Sequence, residues 1–342
     1  MTNKTVKRGV SYFGNRHLDH FKNDLSEMKS SGFDYIIHTF SENDLRYYQG
    51  TLKDFVRFSK EEGLEVYVDP WGVGKVFGGE AFSEFIASYP EECQILNSGR
   101  RVAAACPNRK RFQDYMSTWV RAACSLGGDV IFWDEPHYYL DGGSAMKHPL
   151  SYKEWACHCE VCRKKFKEEF GHEMEGSLTP EIVKFRQSSL IHFLKTLCGQ
   201  VHEQGLKNAV CLFPVPLPSF SRILGIEDWR SLAVLKEIDI LSTDPYWSLL
   251  NLPLEEFVGF FSEKIVKLAK EFGKESEIWI QAFKIPKART KEISRAIEIV
   301  SSFDPSRIAV WSYKATACMS SLACDEPQIV WDNICNELKS IG

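Results

Sequence analysis

The sequence predicts a single (β/α)8 barrel, on three observations. Apolar runs of strand length alternate with amphipathic helical stretches along the whole chain. Glycines such as Gly32 and Gly63 stop the helices before the next strand begins. Polar or aromatic residues follow nearly every strand, as expected where strand ends gather at one barrel mouth.

Taken in order, residues 9–13 read as a first strand and 18–31 as an amphipathic helix; 34–40 is a second strand and 52–62 a second helix. The third strand, 64–69, runs into Pro70-Trp71-Gly72, and a longer excursion through 81–89 leads to a helix over 110–126. The fourth is the stretch from Asp129 to His137, where an apolar run ends in Trp133-Asp134-Glu135-Pro136. Proline stops the strand where the charges begin. Strands over 208–214, 239–244, 277–283 and 307–313 follow, with helices over 180–203, 226–237, 254–272, 291–302 and 328–340. A doubly wound open sheet is the competing architecture. It is disfavoured because no glycine-rich phosphate turn follows the first strand. Without repeats or a linker, residues 1–342 form one domain, with a cysteine-rich insertion at about 138–180 after the fourth strand.

With 44% hydrophobic residues the chain can bury a large core, and its net charge of −4 offers no basic field for nucleic acid. No apolar span reads as a membrane segment, and the polar start reads as no export signal, so a cytoplasmic location is expected. Eleven cysteines, an odd number, argue against a disulfide framework.

Carboxylates at the ends of buried parallel strands are where barrels place catalytic groups. Glu135, Asp134 and Asp244 are therefore the candidate catalytic residues, with Asp69 as a further carboxylate. Asp134 and Glu135 are neighbours, so both reach a pocket only if the strand breaks between them. Trp71, Trp133, Trp247 and Trp311 are candidate sugar platforms, since an aromatic face suits the apolar face of a pyranose. His38 could hydrogen-bond a sugar hydroxyl, and His137, Tyr246, Gln281 and Tyr313 complete the expected lining. A metal-dependent hydrolase would need more histidines on the strands, and a phosphate-binding barrel would need a glycine-rich turn after strand seven or eight.

Cys157-His158-Cys159-Glu160-Val161-Cys162 brings three thiols into six residues, enough for three corners of a tetrahedral zinc. Cys106 is the expected fourth ligand, with His158 and Cys124 as alternatives. Four protein ligands leave no open position, so the zinc is expected to be structural.

The succession Gly99-Arg100-Arg101, Cys106, Asn108, a fourth strand ending Asp134-Glu135-Pro136, then Cys-x-Cys-x-x-Cys, resembles glycoside hydrolase family 42, the zinc-containing β-galactosidases. Ser242-Thr243-Asp244-Pro245-Tyr246 is similar to that family's sixth-strand ending. The resemblance covers the barrel and implies a carbohydrate substrate, Glu135 as general acid/base, and Cys106, Cys157, Cys159 and Cys162 as zinc ligands. The family's trimerisation and C-terminal domains have no counterpart, and homo-oligomerisation stays open. At strand seven, where the clan carries a glutamate nucleophile, this chain has Gln281. The second catalytic group is then Asp244, Asp134, Asp69 or, as in hexosaminidases with an adjacent Asp-Glu pair, the substrate's own acetamido group. A non-hydrolytic sugar-binding barrel is the alternative.

Overall fold

Eight strands rich in Val, Ile, Tyr and Trp, buried on both faces, are the composition that a parallel sheet wrapped by helices requires. In the computed structural model, which describes residues 6–141 and 153–341, these strands close into a barrel. Ten strands are present among the described residues: β1 (Lys7–Tyr12), β2 (Tyr35–Thr39), β3 (Glu65–Asp69), β4 (Cys93–Ile95), β5 (Arg101–Ala105), β6 (Val130–Trp133), β7 (Lys207–Cys211), β8 (Ile240–Thr243), β9 (Glu275–Gln281) and β10 (Arg307–Trp311). All except β4 and β5 form the barrel, in the order β1-β2-β3-β6-β7-β8-β9-β10, with β10 pairing parallel to β1 at Gly9↔Ala309. The predicted (β/α)8 barrel is thus observed.

Alternation along the strands separates two cores. Outward residues such as Ile36, Val68, Ile131, Val210, Ile278 and Val310 pack under the helices. Inward residues, among them Tyr35, Ile37, Tyr67, Val130, Phe132 and Trp279, fill the barrel. Gly9 is required here, because a Cβ at its position would lie 2.1 Å from the Tyr35 ring. At the N-terminal end the buried Arg307 closes the barrel, pairing with Glu65 at 2.8 Å and Glu275 at 2.7 Å. Higher up, Glu277 is fully buried and accepts hydrogen bonds from Tyr35 at 2.8 Å, Ser242 at 3.0 Å and Trp279 at 3.2 Å.

Three local features depart from the sequence expectation. Ser41 caps a short helix, Glu42–Tyr47, through a capping box with Asp44. The helix expected over 226–237 shrinks to Arg230–Ala233, and Pro218–Leu224 is helical instead, closed by Gly225 in the left-handed conformation. The excursion after β3 contains the antiparallel pair β4–β5, which pairs Cys93 with Ala105. Part of the cysteine-rich insertion, residues 142–152, lies outside the described residues.

Candidate active site

Inward parity carries Asp69, Asp134 and Asp244 to the C-terminal rim of β3, β6 and β8, where a cleft of about 190 Å3 opens. Glu135 has the opposite parity and by simple alternation would face the helices. It adopts φ +38°, a left-handed conformation, and this break returns its side chain to the cleft beside Asp134. Such a conformation in a non-glycine residue costs about 1 kcal/mol or more and persists only where the surroundings enforce it. Pro136 follows at once, and the carbonyl of Glu135 is engaged by Nδ1 of the half-buried His137. The carbonyl of Asp134 accepts a 2.9 Å hydrogen bond from the Gly78 amide. Gly78 cannot carry a side chain, since a Cβ would lie 2.4 Å from Asp134 Oδ2.

The carboxyls of Glu135 and Asp244 are hydrogen-bonded to each other. Cys211, at the end of β7, offers its thiol to Asp244 Oδ1 at 3.5 Å. Burial is the main reason that all four acids are pushed above the ordinary carboxylate range. For Asp69 the neighbouring Asp134 and Glu80 add to it; for Glu135, Asp244 and Asp134 do. Asp134 is raised by burial and then by Asp244 and Glu80. Asp244 is pushed up to about 7 by burial, against the lowering effect of its hydrogen bonds from Glu135 and Cys211. The group therefore holds protons near neutrality, the condition a general acid needs.

The walls are aromatic. Phe132 and Trp279 meet at 5.1 Å, and Trp311 stacks on Phe13 at 4.9 Å and approaches Trp279 at 5.9 Å. Tyr246 stands edge-on to Phe283 at 5.0 Å. Glu80 and Lys284 join the rim.

Of the residues expected at the mouth, Asp134, Glu135, Asp244, Tyr246 and Trp311 line the cleft, with Asp69 behind Asp134 and Trp71 beside the cleft, donating to Glu80 at 3.2 Å. The others lie elsewhere. His38 faces outward among Tyr12, Phe21 and Phe55, 3.1 Å from the Ser59 hydroxyl, and burial lowers it to about 3. Trp133, also outward, donates to Asn208 at 2.8 Å, and Trp247 is buried with its ring NH on Glu292 at 2.7 Å. Tyr313 turns to Asp24 and Glu27, both at 3.1 Å. His137 is half-buried behind Glu135, its ring edge-on to Phe213, rather than in the cleft. Gln281 has inward parity, yet its Oε1 accepts from the Ser248 and Leu249 amides at 3.0 and 3.2 Å and its Nε2 donates to the Phe283 carbonyl at 2.8 Å. Its amide ties two loops together. Cys211, Phe132, Phe213, Trp279 and Phe283 line the cleft without having been singled out from sequence. Each has the inward parity of its strand, a signal that becomes usable only once the strand register is fixed.

The cysteines assemble for a separate reason. Cys106 follows directly on β5; a bridge between Leu96 and Ala156, and the His158 amide on the Ile95 carbonyl at 2.7 Å, dock the second segment on the same hairpin. The Sγ atoms of Cys106, Cys157, Cys159 and Cys162 all lie within 4.8 Å of one another and are buried. Cys106 is 3.5 Å from Cys162 and 3.8 Å from Cys159. A tetrahedral zinc with bonds of about 2.3 Å spaces its sulfurs about 3.8 Å apart, so this set fits such an ion. His158 instead engages the Met174 carbonyl at 3.2 Å, and Cys124 is not part of the group.

No protein-family model and no curated protein matches the chain. Solved structures do. A GH42 β-galactosidase, Gan42B of G. stearothermophilus, superposes with a TM-score of 0.68 at 13% identity, over 99% of this chain and 57% of that one. The endo-1,4-beta-mannanase of Rhizomucor miehei gives 0.62 at 11% identity, over 98% and 95% of the two chains. A Flavobacterium johnsoniae chitobiase (FjGH20) gives 0.55 at 12%, over 99% of this chain and 51% of that one. The fold is that of glycoside hydrolase barrels. At such identities the likeness is one of fold, and the chain spans about half the length of the β-galactosidase and the chitobiase.

Proposed function

We propose that the protein is a glycoside hydrolase acting on small glycosides or oligosaccharides, with Glu135 as the general acid. The observation that carries this reading is the Glu135–Asp244 carboxyl pair, pushed toward its protonated forms by burial, in a cleft walled by Trp279, Trp311 and Tyr246. Aromatic faces hold the sugar ring, and Glu135 gives its proton to the departing glycosidic oxygen.

Retaining glycosidases hold their two catalytic carboxyls about 5–5.5 Å apart, and inverting ones about 6.5–9.5 Å apart. Glu135 and Asp244 touch, so this pair leaves no room for a sugar between them. Asp244 serves instead as the neighbour whose charge keeps the proton on Glu135. The second catalytic role falls to Asp134, which faces the same cleft and can stabilise positive charge at the anomeric carbon, or to a substrate acetamido group that Asp134 orients. Cys106, Cys157, Cys159 and Cys162 would hold a structural zinc that fixes the hairpin and the insertion against the barrel, with no part in bond cleavage.

Rates of wild type and Glu135→Gln on aryl α- and β-glycosides, followed by NMR of the first-formed anomer, test the reading. Turnover lost in the variant supports it. Sugar binding without turnover on any glycoside favours a binding barrel, an alternative that gains weight from the engagement of Gln281 by backbone groups.

A further inference from the structure

The cleft contains far more acid than its walls balance. Glu80, Asp134, Glu135 and Asp244 line it, and Lys284 on the rim is the one basic side chain among its described lining residues. Behind them stands Asp69, fully buried, with neither carboxylate oxygen hydrogen-bonded among the described residues. Elsewhere buried or half-buried acids are met by cations or by hydrogen-bond donors: Glu65 and Glu275 have Arg307, Asp44 has Arg16 at 2.6 Å, and Glu277 has Tyr35, Ser242 and Trp279. Lys75 also lies near Glu80, but its ammonium is turned to the Gly79 carbonyl at 3.0 Å.

We propose that the sugar this cleft accepts carries a protonated amine, an amino sugar with a free ammonium group, held by Asp134 and Glu80 with Asp69 reinforcing their charge. This rests on the glycosidase reading and specifies its substrate class. An ammonium offers three donors and a full positive charge, and charge-assisted hydrogen bonds of this kind are the strong ones. In the free protein, burial and neighbouring negative charge push Asp134 and Asp69 to hold protons; an ammonium beside them supplies the missing opposite charge and reverses that push. A neutral hexose offers hydroxyls alone and leaves the repulsion in place. An N-acetyl sugar has exchanged its charge for a bulkier amide.

The test is a titration of wild-type protein with glucosamine, galactosamine and mannosamine, with their N-acetyl forms, and with glucose, galactose and mannose. It is read by the fluorescence of Trp279 and Trp311 at mildly acidic pH, where a sugar amine is protonated. At least one amino sugar is expected to bind about tenfold or more tightly than its neutral parent. The preference should weaken but persist as salt rises, because Glu80 is exposed and Asp134 is partly covered. It should vanish in Glu80→Gln and in Asp134→Asn, each checked for folding by circular dichroism. Equal or tighter binding of the neutral or N-acetyl sugar overturns the ammonium assignment while leaving the sugar site intact. Failure of every hexose to bind overturns both, and the wild-type comparison decides the matter even if a variant does not fold.

Discussion

Glu135 and Asp244 come from strands that are not neighbours in the barrel, yet their carboxyls share a hydrogen bond across the cleft. The contact exists because Glu135 takes φ +38° and turns back over the mouth, while Asp244 arrives there by ordinary strand parity. One residue is strained into place and the other is delivered by the fold. Which of them holds the proton then depends on burial and on the charges around the pair.

Glu135→Gln is expected to lower kcat on a cleavable glycoside by about a hundredfold or more, the usual contribution of a positioned general acid. Steady-state rates check this. Unchanged turnover would place the chemistry elsewhere. Asp244→Asn removes the negative neighbour that helps keep Glu135 protonated. Glu135 then releases its proton at lower pH, and the alkaline limb of the kcat/KM profile should move downward.

Stability should carry two pH signatures of opposite sign. Asp244 is raised from 3.8 to about 7, so the folded state binds more protons than the unfolded chain between these values. Its contribution is fully present below 3.8 and is lost as pH rises through about 7. His38 is lowered from 6.5 to about 3, so its contribution is present above 6.5 and lost as pH falls toward 3. Between pH 3.8 and about 7 the Asp244 loss opposes the His38 gain in the wild type, so the melting temperature of Asp244→Asn, which lacks the loss, should rise relative to that of the wild type across this window and run parallel to it above about 7. Parallel profiles over the whole range would remove Asp244 as a cause.

His38→Ala is expected to leave KM for a cleaved glycoside unchanged while destabilising the fold by roughly 2 kcal/mol, as loss of a buried, hydrogen-bonded ring does. Urea denaturation measures the second and kinetics the first. A raised KM with unaltered stability would return His38 to the substrate site.

Gln281→Glu does not restore a strand-seven nucleophile. A carboxylate keeps the acceptor for the Ser248 and Leu249 amides but loses the donor to the Phe283 carbonyl, and so sets oxygen against oxygen in a buried place. Destabilisation of about 1–3 kcal/mol is expected without any gain in rate. A variant that is as stable and faster would show that the side chain can swing into the cleft.

Metal analysis should find about one zinc per chain, and chelation should lower the melting temperature by freeing the hairpin β4–β5 from the segment that carries Cys157. Cys162→Ser should reproduce that loss. Metal-free protein with undiminished stability would mean that the four thiols are packing alone.

The sequence alone determined the barrel, because strand length, buried composition and helix-stopping glycines are local properties repeated along the chain. It also pointed to the carboxylates Asp134, Glu135 and Asp244 and to the thiols of Cys157, Cys159 and Cys162, since proline-ended strands and close thiol spacing are local too, whereas the choice of Cys106 over His158 and Cys124 is decided by the fold. It could not separate platforms from packing among the aromatic residues at strand ends. Trp311 faces the cleft while Trp133 faces the helices, a difference of one step in parity that only the strand register decides. For the same reason His38, a polar residue beside apolar ones, resembles a mouth residue but serves the core, whereas Gln281 has the inward parity and is kept from the cleft by the loop backbone it binds. The pairing of Glu135 with Asp244, and the upward push on both carboxyls, belong to tertiary structure altogether. They depend on a backbone reversal at one residue, on burial, and on repulsion between groups more than a hundred positions apart in the chain.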